Sequence, residues 1–507
     1  MLSCLRTAAV FGVDACHVHV EVDVSFGMPR FTMVGLPDVG VRESRDRVRS
    51  AIRNSGFDFP AHRITVNLAP ADVRKAGASF DLPIALGILA AQGVVERRHI
   101  ADVVLLGELS LDGSIHPARG VLPIAAAARR DGVPAILLPE PNAGEAAIVA
   151  GLAIYPVSSL AAAVQVLNNP ASVRSRPRPS VPPTASGREA ADPIDLADVR
   201  GQLLARRAVE IACAGGHNLL VVGPPGAGKT MMARRVPGIL PPLTFDEAVE
   251  VTTVHSVAGL LPANAGLVTH RPFRAPHHTI SDAALVGGGP RPRPGEVSLA
   301  HHGVLFLDEM PEFSRHVLEV LRQPLEEGAV TIARAARTDV FPARFMLVGA
   351  MNPCPCGYLG DAVRACRCTP QQVERYRSRL SGPLRDRMDL AIEVPALPPD
   401  ALAAGPPGER SADVRARVVC AREHQRARYG CTGVHANAAL TPALIARHCS
   451  LDAAGVRLLT AAATQMALSA RAYDRVRKVA RTIADLAGAD MIGAEHVAEA
   501  LQFRMAV

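Results

Sequence analysis

GPPGAGKT occupies residues 223–230 and directly follows the apolar run NLLVV at 218–222. Strand, glycine-rich loop and helix in that order, with G-x-x-x-x-G-K-[ST] spelled in full, make a Walker A phosphate-binding loop. Gly223, Gly226 and Gly228 let backbone N–H groups close around phosphates, with Pro224, Pro225 and Ala227 completing the loop. Lys229 neutralises the charge of the β- and γ-phosphates, and the Thr230 hydroxyl ligates Mg²⁺. Only Lys75, Lys229 and Lys478 are lysines, every other basic residue being Arg, so the lysine at this position is informative.

Outward from the loop, VLFLDE at 304–309 is an apolar strand ending in two carboxylates, the Walker B pattern. Asp308 is expected to hold the Mg²⁺ shell and Glu309 to polarise the attacking water. FMLVGAMNP at 345–353 places Asn352 at the end of another buried strand, the sensor 1 position, within reach of the γ-phosphate or the lytic water. SGPLRDRMDL at 381–390 sets Arg385 and Arg387 beside a strand. One of them, with Arg387 favoured, is expected to be an arginine finger aimed at a neighbour's nucleotide, which implies a ring. Apolar strands around a P-loop give a doubly wound α/β sheet that binds ATP and Mg²⁺.

The chain is 507 residues long, too many for one core, and two to four domains are expected. Half of its residues are apolar and a fifth charged, which excludes a disordered polymer. A net charge of +7 permits a nucleic-acid partner without demanding one. Ten cysteines, six of them scattered, are no disulfide framework and fit a reducing cytosol. No apolar run is long enough to span a membrane, and the start of the chain reads as a β-strand, so a cytoplasmic protein is expected. Pro, Ser, Arg and Gly dominate 168–193, an exposed linker. It divides an α/β domain at 1–167 from an ATPase core at 194–395, and a Pro-rich stretch at 396–408 opens a helical segment at 396–507.

Five long stretches carry a family resemblance: RPFRAPHHTISDAALVGGG (271–289), PGEVSLAHHGVLFLDEMPEF (294–313), GAMNPCPCGY (349–358), RYRSRLSGPLRDRMDL (375–390) and SARAYDRVRKVARTIADLAG (469–488). They closely resemble the magnesium-chelatase-like AAA+ ATPases of the ComM/YifB group, over essentially the whole chain. The resemblance implies a homo-hexameric motor on single-stranded and branched DNA. It would drive branch migration in recombination during natural transformation, alongside recombination proteins. It also implies that Arg471 is sensor 2, reaching the γ-phosphate from a C-terminal helical lid. Two insertions are expected, around 252–289 and in a hairpin at 330–343 whose Arg334 and Arg337 point into a ring pore and hold DNA phosphates. The alternatives are a protein-remodelling ATPase like the magnesium-chelatase subunit and an ATP-dependent protease.

Residues 1–167 resemble the domain of Lon-type proteases. KAGASFDLPIAL places Ser79 at the nucleophile, but Leu122 falls where the catalytic lysine belongs, and a leucine cannot take a proton. Peptidase activity is therefore not expected, and the domain is read as a support for oligomerisation and DNA contact. The expected architecture is thus α/β throughout: Lon-protease-like domain, P-loop AAA+ core and helical lid. Finally, Cys354, Cys356, Cys366 and Cys368 form two C-x-C pairs, a spacing that points to structural Zn²⁺, with reduced free thiols as the alternative. The pairs His277–His278 and His301–His302 carry no metal assignment.

Overall fold

The alternation CHVHVEVDVS decides the first sheet. Val18, Val20 and Val22 point inward and are fully buried, while the polar residues between them face outward. A computed structural model of the chain describes residues 1–71, 75, 78–96, 100–169, 194–289, 292–334, 337–361, 364–396 and 408–504. The expected linker lies almost wholly outside them, as does most of the Pro-rich stretch at 396–408. The chain divides into two compact units. The first combines Met1–Ala185 with Phe245–Thr269 and Ala333–Phe341; the second combines Ser186–Thr244, His270–Ile332 and Pro342–Val507.

In the first unit, β1 (Leu2–Phe11) pairs antiparallel with β2 (Asp14–Ser25), from Leu2 opposite Asp23 to Phe11 opposite Asp14. With β3 (Arg30–Val34), β4 (Arg63–Ala69), β5 (Val103–Leu105), β8 (Ala135–Pro139) and β9 (Ala153–Val157) they form a seven-stranded mixed sheet, ordered β3-β4-β2-β1-β5-β8-β9. A short ladder of β6 (Glu108–Leu109) and β7 (Ile115–His116) lies apart from it. The helix Asp81–Ala91 is buried along its whole length, as its apolar sequence DLPIALGILAA requires. Gly87 gives it room, because a Cβ there would come within 2.6 Å of Val22.

The insertion helix Phe245–Ala258 belongs to this first unit although its sequence lies after the P-loop. Glu145 is the reason. Its Oε1 accepts the Leu122 N–H at 2.7 Å and the Ser256 hydroxyl, and its Oε2 accepts from Asn142 Nδ2 at 3.2 Å. The Gly120 N–H donates to the Ser256 carbonyl (3.2 Å), and the Asn264 N–H to that of Pro141 (2.7 Å). Burial raises the Glu145 carboxyl above its usual range. The second insertion is grouped here too: a Cβ on Gly12, in the β1–β2 turn, would lie 2.8 Å from the Val340 carbonyl. Residues 252–269 of the first expected insertion and 333–341 of the second are therefore grouped with the N-terminal residues, while the remainder of each falls in the second unit.

The second unit holds a five-stranded parallel sheet ordered β11-β14-β17-β10-β18, from β10 (Leu219–Val222), β11 (Phe273–Arg274), β14 (Val304–Leu307), β17 (Met346–Met351) and β18 (Leu390–Glu393). Strands β10, β14 and β17 are buried at every position, which explains their unbroken apolar sequences. A two-residue ladder of β12 (Gly287–Gly288) and β13 (Arg293–Pro294) precedes β14. A hairpin of β15 (Ala329–Arg334) and β16 (Arg337–Pro342) precedes β17. From Ser411 to Gln502 the regular elements are all helical. Their core is tied by Arg481, 1% exposed, which donates to Asp485 Oδ1 (3.0 Å) and the Asp490 carbonyl (2.7 Å). Among the described residues no helix is long and apolar enough to cross a membrane.

Replacing Glu145 by Ala leaves the Leu122 N–H and the Ser256 hydroxyl buried without their acceptor, at about 1–3 kcal/mol. Hydrogen exchange should rise together at 121–130 and 245–258 in that variant. Unchanged protection at 245–258 would mean that the insertion helix is held without Glu145.

Candidate functional site

Because the five strands are parallel, their C-terminal ends share one edge of the sheet, the edge where open α/β sheets hold ligands. Val222 is in register with Met351, and Leu307 with Gly349, so the residues that follow those strands converge. Gly223 follows Val222 where a Cβ would meet the Val394 carbonyl at 2.3 Å. Gly228, at φ +87°, turns the loop into the helix Lys229–Ala233.

The converging side chains form one bonded set. Lys229 Nζ donates to the carbonyls of Gly223 (2.7 Å) and Pro224 (2.9 Å) and to Asn352 Oδ1 (3.0 Å). The Thr230 hydroxyl donates to Asp308 Oδ2 at 2.7 Å, placing the two expected Mg²⁺ ligands side by side. Burial lowers the Lys229 ammonium from its usual value, and the charges of Asp308 and Glu309 oppose that shift. Glu309 is exposed and adopts φ +49°, a left-handed conformation costly for a residue with a side chain. Its backbone N–H donates to Asp308 Oδ1 at 3.0 Å, which keeps the two acidic residues together. Oxygen ligands at Thr230 and Asp308 suit the hard Mg²⁺ ion, and Lys229 with the loop N–H groups suits phosphates.

Tyr376 was not anticipated from the sequence. Burial pushes its hydroxyl up to about 12, and it bonds the backbone of Asn352, pinning that residue from the helix Pro370–Arg377. The motif RYRSRL contains it, but no spacing rule joins it to Asn352.

The expected finger and sensor 2 lie elsewhere. Asp389 N–H donates to the Asn218 carbonyl (3.0 Å), and Leu219 is in register with Leu390, so 387–389 sit at the N-terminal edge of the sheet. The four residues of β10 separate that edge from the P-loop by on the order of 10 Å. The helix Ala470–Leu486 docks there: Arg475 pairs with Asp389 at 3.3 Å, and Thr482 bonds His217 at 2.8 Å. Arg471, one turn before Arg475, is exposed on the same helix. Arg471, expected to reach the γ-phosphate as sensor 2, stands near Arg387 on the helix that docks at this edge.

Arg387 is 7% exposed; its Nη1 donates to the Pro383 carbonyl at 2.5 Å and its Nη2 to Glu326. Burial first, then the like charges of Arg322, Arg471 and Arg475, push its guanidinium below the ordinary value. Arg387 Nε and Arg475 Nη1 are buried without a hydrogen-bond partner. Arg322, Arg387, Arg471 and Arg475 give this edge positive charge, answered in part by Glu319, Glu326 and Asp389. Arg385, the alternative finger, is exposed at the end of the short helix Gly382–Arg385.

The four clustered cysteines do converge. Cys354 Sγ lies 3.3 Å from Cys356 Sγ and 3.6 Å from Cys366 Sγ, Cys356 and Cys366 are 3.6 Å apart, and Cys368 joins them with all four sulfurs within 4.8 Å. Zn–S bonds of about 2.3 Å in a tetrahedron give S···S edges of about 3.8 Å. The backbone N–H groups of Arg367 and Tyr358 pull the Cys356 thiol down to about 6. A set of converged thiols with N–H donors aimed at a sulfur fits a thiolate-bound metal. In the N-terminal unit, Leu122 is 1% exposed, and the fully buried Lys75 donates to the Pro70 carbonyl. The side chains of Arg334 and Arg337 lie outside the described residues.

Family models agree with this layout. "Magnesium chelatase, subunit ChlI" matches residues 195–402, "Subunit ChlI of Mg-chelatase" matches 20–142, and "Magnesium chelatase, subunit ChlI C-terminal" matches 408–504. The competence protein ComM of Haemophilus influenzae is 46% identical over 507 residues, covering 100% of this chain and 98% of its own. The uncharacterized protein YifB of Escherichia coli is 44% identical over 509 residues, 99% of this chain and 97% of its own. The magnesium-chelatase 38 kDa subunit of Rhodobacter capsulatus is 27% identical over 190 residues, 34% of this chain and 53% of its own.

Glu309 and Lys229 separate by role in a simple assay. Lys229→Ala should lose nucleoside-triphosphate binding. Glu309→Gln should bind as the parent does and turn over about 10²- to 10⁴-fold more slowly, the usual effect of removing a general base. Parental turnover in Glu309→Gln excludes Glu309 from water activation.

Proposed function

The chain belongs to the ComM/YifB family of magnesium-chelatase-like AAA+ proteins, and we propose that it is an ATP-driven DNA motor working as a homo-hexamer. Its substrate is single-stranded and branched DNA, and its action is branch migration during recombination of incoming DNA in natural transformation. The protein would work in the cytoplasm beside recombination proteins. The single observation that carries the proposal is the 46% identity, end to end, with a protein named for competence.

The separation of the two sheet edges supports the ring. ATP and Mg²⁺ are held by residues 223–230 and Asp308, Glu309 activates water, and Asn352 orients it against the γ-phosphate. Arg387 as finger and Arg471 as sensor 2 would serve the nucleotide of the adjacent subunit, since Arg387 lies at the sheet edge opposite the P-loop. Hydrolysis in one subunit thus depends on the position of the next. Arg334 ends β15 and Arg337 begins β16, and in this reading both grip DNA phosphates without reading sequence. The N-terminal domain is Lon-like in descent and inactive as a peptidase, since Leu122 offers no base. The four thiols hold a structural Zn²⁺.

Mixing tests the trans assignment. Arg387→Ala and Lys229→Ala subunits, each inactive alone, should regain part of the parental ATPase rate in mixed rings, because some interfaces then pair an intact loop with an intact arginine. No rescue in verified mixed rings rejects Arg387 as the finger and transfers the role to Arg385.

A second experiment tests the substrate. DNA should stimulate ATP hydrolysis, the stimulation should fall steeply with salt, and Arg334→Ala/Arg337→Ala should weaken it while sparing basal turnover. On a synthetic three- or four-strand junction, arms should separate only with hydrolysable ATP. A ring that is indifferent to DNA at low salt supports the protein-remodelling reading instead.

A further inference from the structure

The four-cysteine loop touches the ATP site directly. Strand β17 ends at Met351; Asn352 accepts the Lys229 ammonium at 3.0 Å; and Cys354, two residues on, is fully buried. The Gly357 N–H closes the loop onto the Cys354 carbonyl at 3.0 Å. At φ +85°, Gly357 lies flat on the second proline of the phosphate loop. A Cβ there would come within 2.6 Å of Pro225 Cδ and 2.9 Å of Pro225 Cγ, and 3.9 Å of Asn352 Cγ. On its other side the loop is held by the helix Pro370–Arg377, whose capping box at Thr369 and Gln372 starts immediately after Cys368. The residues between the two C-x-C pairs form no regular element among those described, so the sulfur cluster, together with the Arg364–Tyr358 hydrogen bond at 2.7 Å, ties Cys354 and Cys356 to Cys366.

We propose that the cysteine centre is a positioning device for nucleotide binding: its metal fixes Gly357 against Pro225 and thereby sets the mouth of the Walker A loop. The inference rests on the zinc reading and goes beyond it, because a structural knuckle remote from the site would leave ATP affinity alone. Metal binding at such a cluster is coupled to the folding of the loop that carries the thiols. Loss of the metal therefore frees Gly357 and lets Pro225, and with it the loop N–H groups, leave the phosphate-binding geometry. Gly357 and the four cysteines are positioning residues; none of them touches the nucleotide.

Gly360 supplies the control. It sits in the same loop at φ +79°, so Ala strains the backbone as it does at Gly357, but a Cβ there has nothing within 4 Å. In the full-length protein, Gly357→Ala should retain zinc and ring size and bind a fluorescent, non-hydrolysable ATP analogue roughly 10- to 100-fold more weakly, the scale of a misplacement of about 1 Å. Gly360→Ala should bind it as the parent does. Cys366→Ser/Cys368→Ser should lose both zinc and affinity. Chelator treatment of the parent should lower affinity, and added Zn²⁺ should restore it. Equal affinities for Gly357→Ala and Gly360→Ala overturn the proposal, as does parental affinity in zinc-stripped protein. Metal analysis separates the two readings: a parent purified without zinc overturns the zinc centre itself and this role with it, whereas a zinc-bearing parent indifferent to zinc removal overturns only the role.

Discussion

Five parallel strands cannot offer both of their edges to one ligand. In this protein the phosphate loop, the Walker B carboxylates and Asn352 follow the C-terminal ends of β10, β14 and β17, whereas Arg387 and Asp389 precede β18. Strand length alone, four residues in β10, keeps the two sets apart. The phosphate-loop residues thus lie on one edge and the arginine cluster on the other. The helical segment deepens the division, because the Arg475–Asp389 and Thr482–His217 contacts dock it on the arginine edge. A segment fastened there adds its arginines to Arg387 and not to Lys229.

The sequence made the phosphate edge legible because its determinants are local. A glycine loop between an apolar strand and a helix, or two carboxylates ending an apolar strand, is readable from neighbours along the chain. The buried parallel strands repeated that signal as uninterrupted apolar runs. The sulfur cluster was legible for the same reason, four thiols in fifteen positions. Arg471 could not be placed from the sequence, because its position depends on how the helix Ala470–Leu486 docks, and the Arg475–Asp389 pair joins residues distant in sequence. Tyr376 and the Gly357–Pro225 contact were invisible for the same cause: neither a tyrosine within an arginine-rich helix nor a glycine after a cysteine declares a partner far away.

The insertions show the same limit at larger scale. Sequence order assigns Phe245–Ala258 to the ATPase core, yet burial assigns it to the N-terminal unit. The deciding interaction is a buried carboxylate answered on several sides by Leu122, Asn142 and Ser256. An unanswered carboxylate in that position would be costly, and Ser256 is one of the groups that satisfy it. The backbone N–H of Leu122, where the resemblance to Lon-type proteases would put a lysine, belongs to the same arrangement, so this position takes part in anchoring the helix.

Control over hydrolysis then follows from where each group is fastened. Lys229 is held by the carbonyls of its own loop and by Asn352, Asn352 by Tyr376, and the loop's Pro225 by Gly357. Each of these contacts is internal to one subunit and is rigid, so a bound triphosphate meets a preorganised cradle. The chain clusters Arg322, Arg387, Arg471 and Arg475 at its other edge, where Glu326 and Asp389 already pair with Arg387 and Arg475. In the hexamer proposed above, a neighbour's γ-phosphate would join those arginines to the cradle and its loss would part them, giving a motor two alternating states without any bistable element inside the sheet.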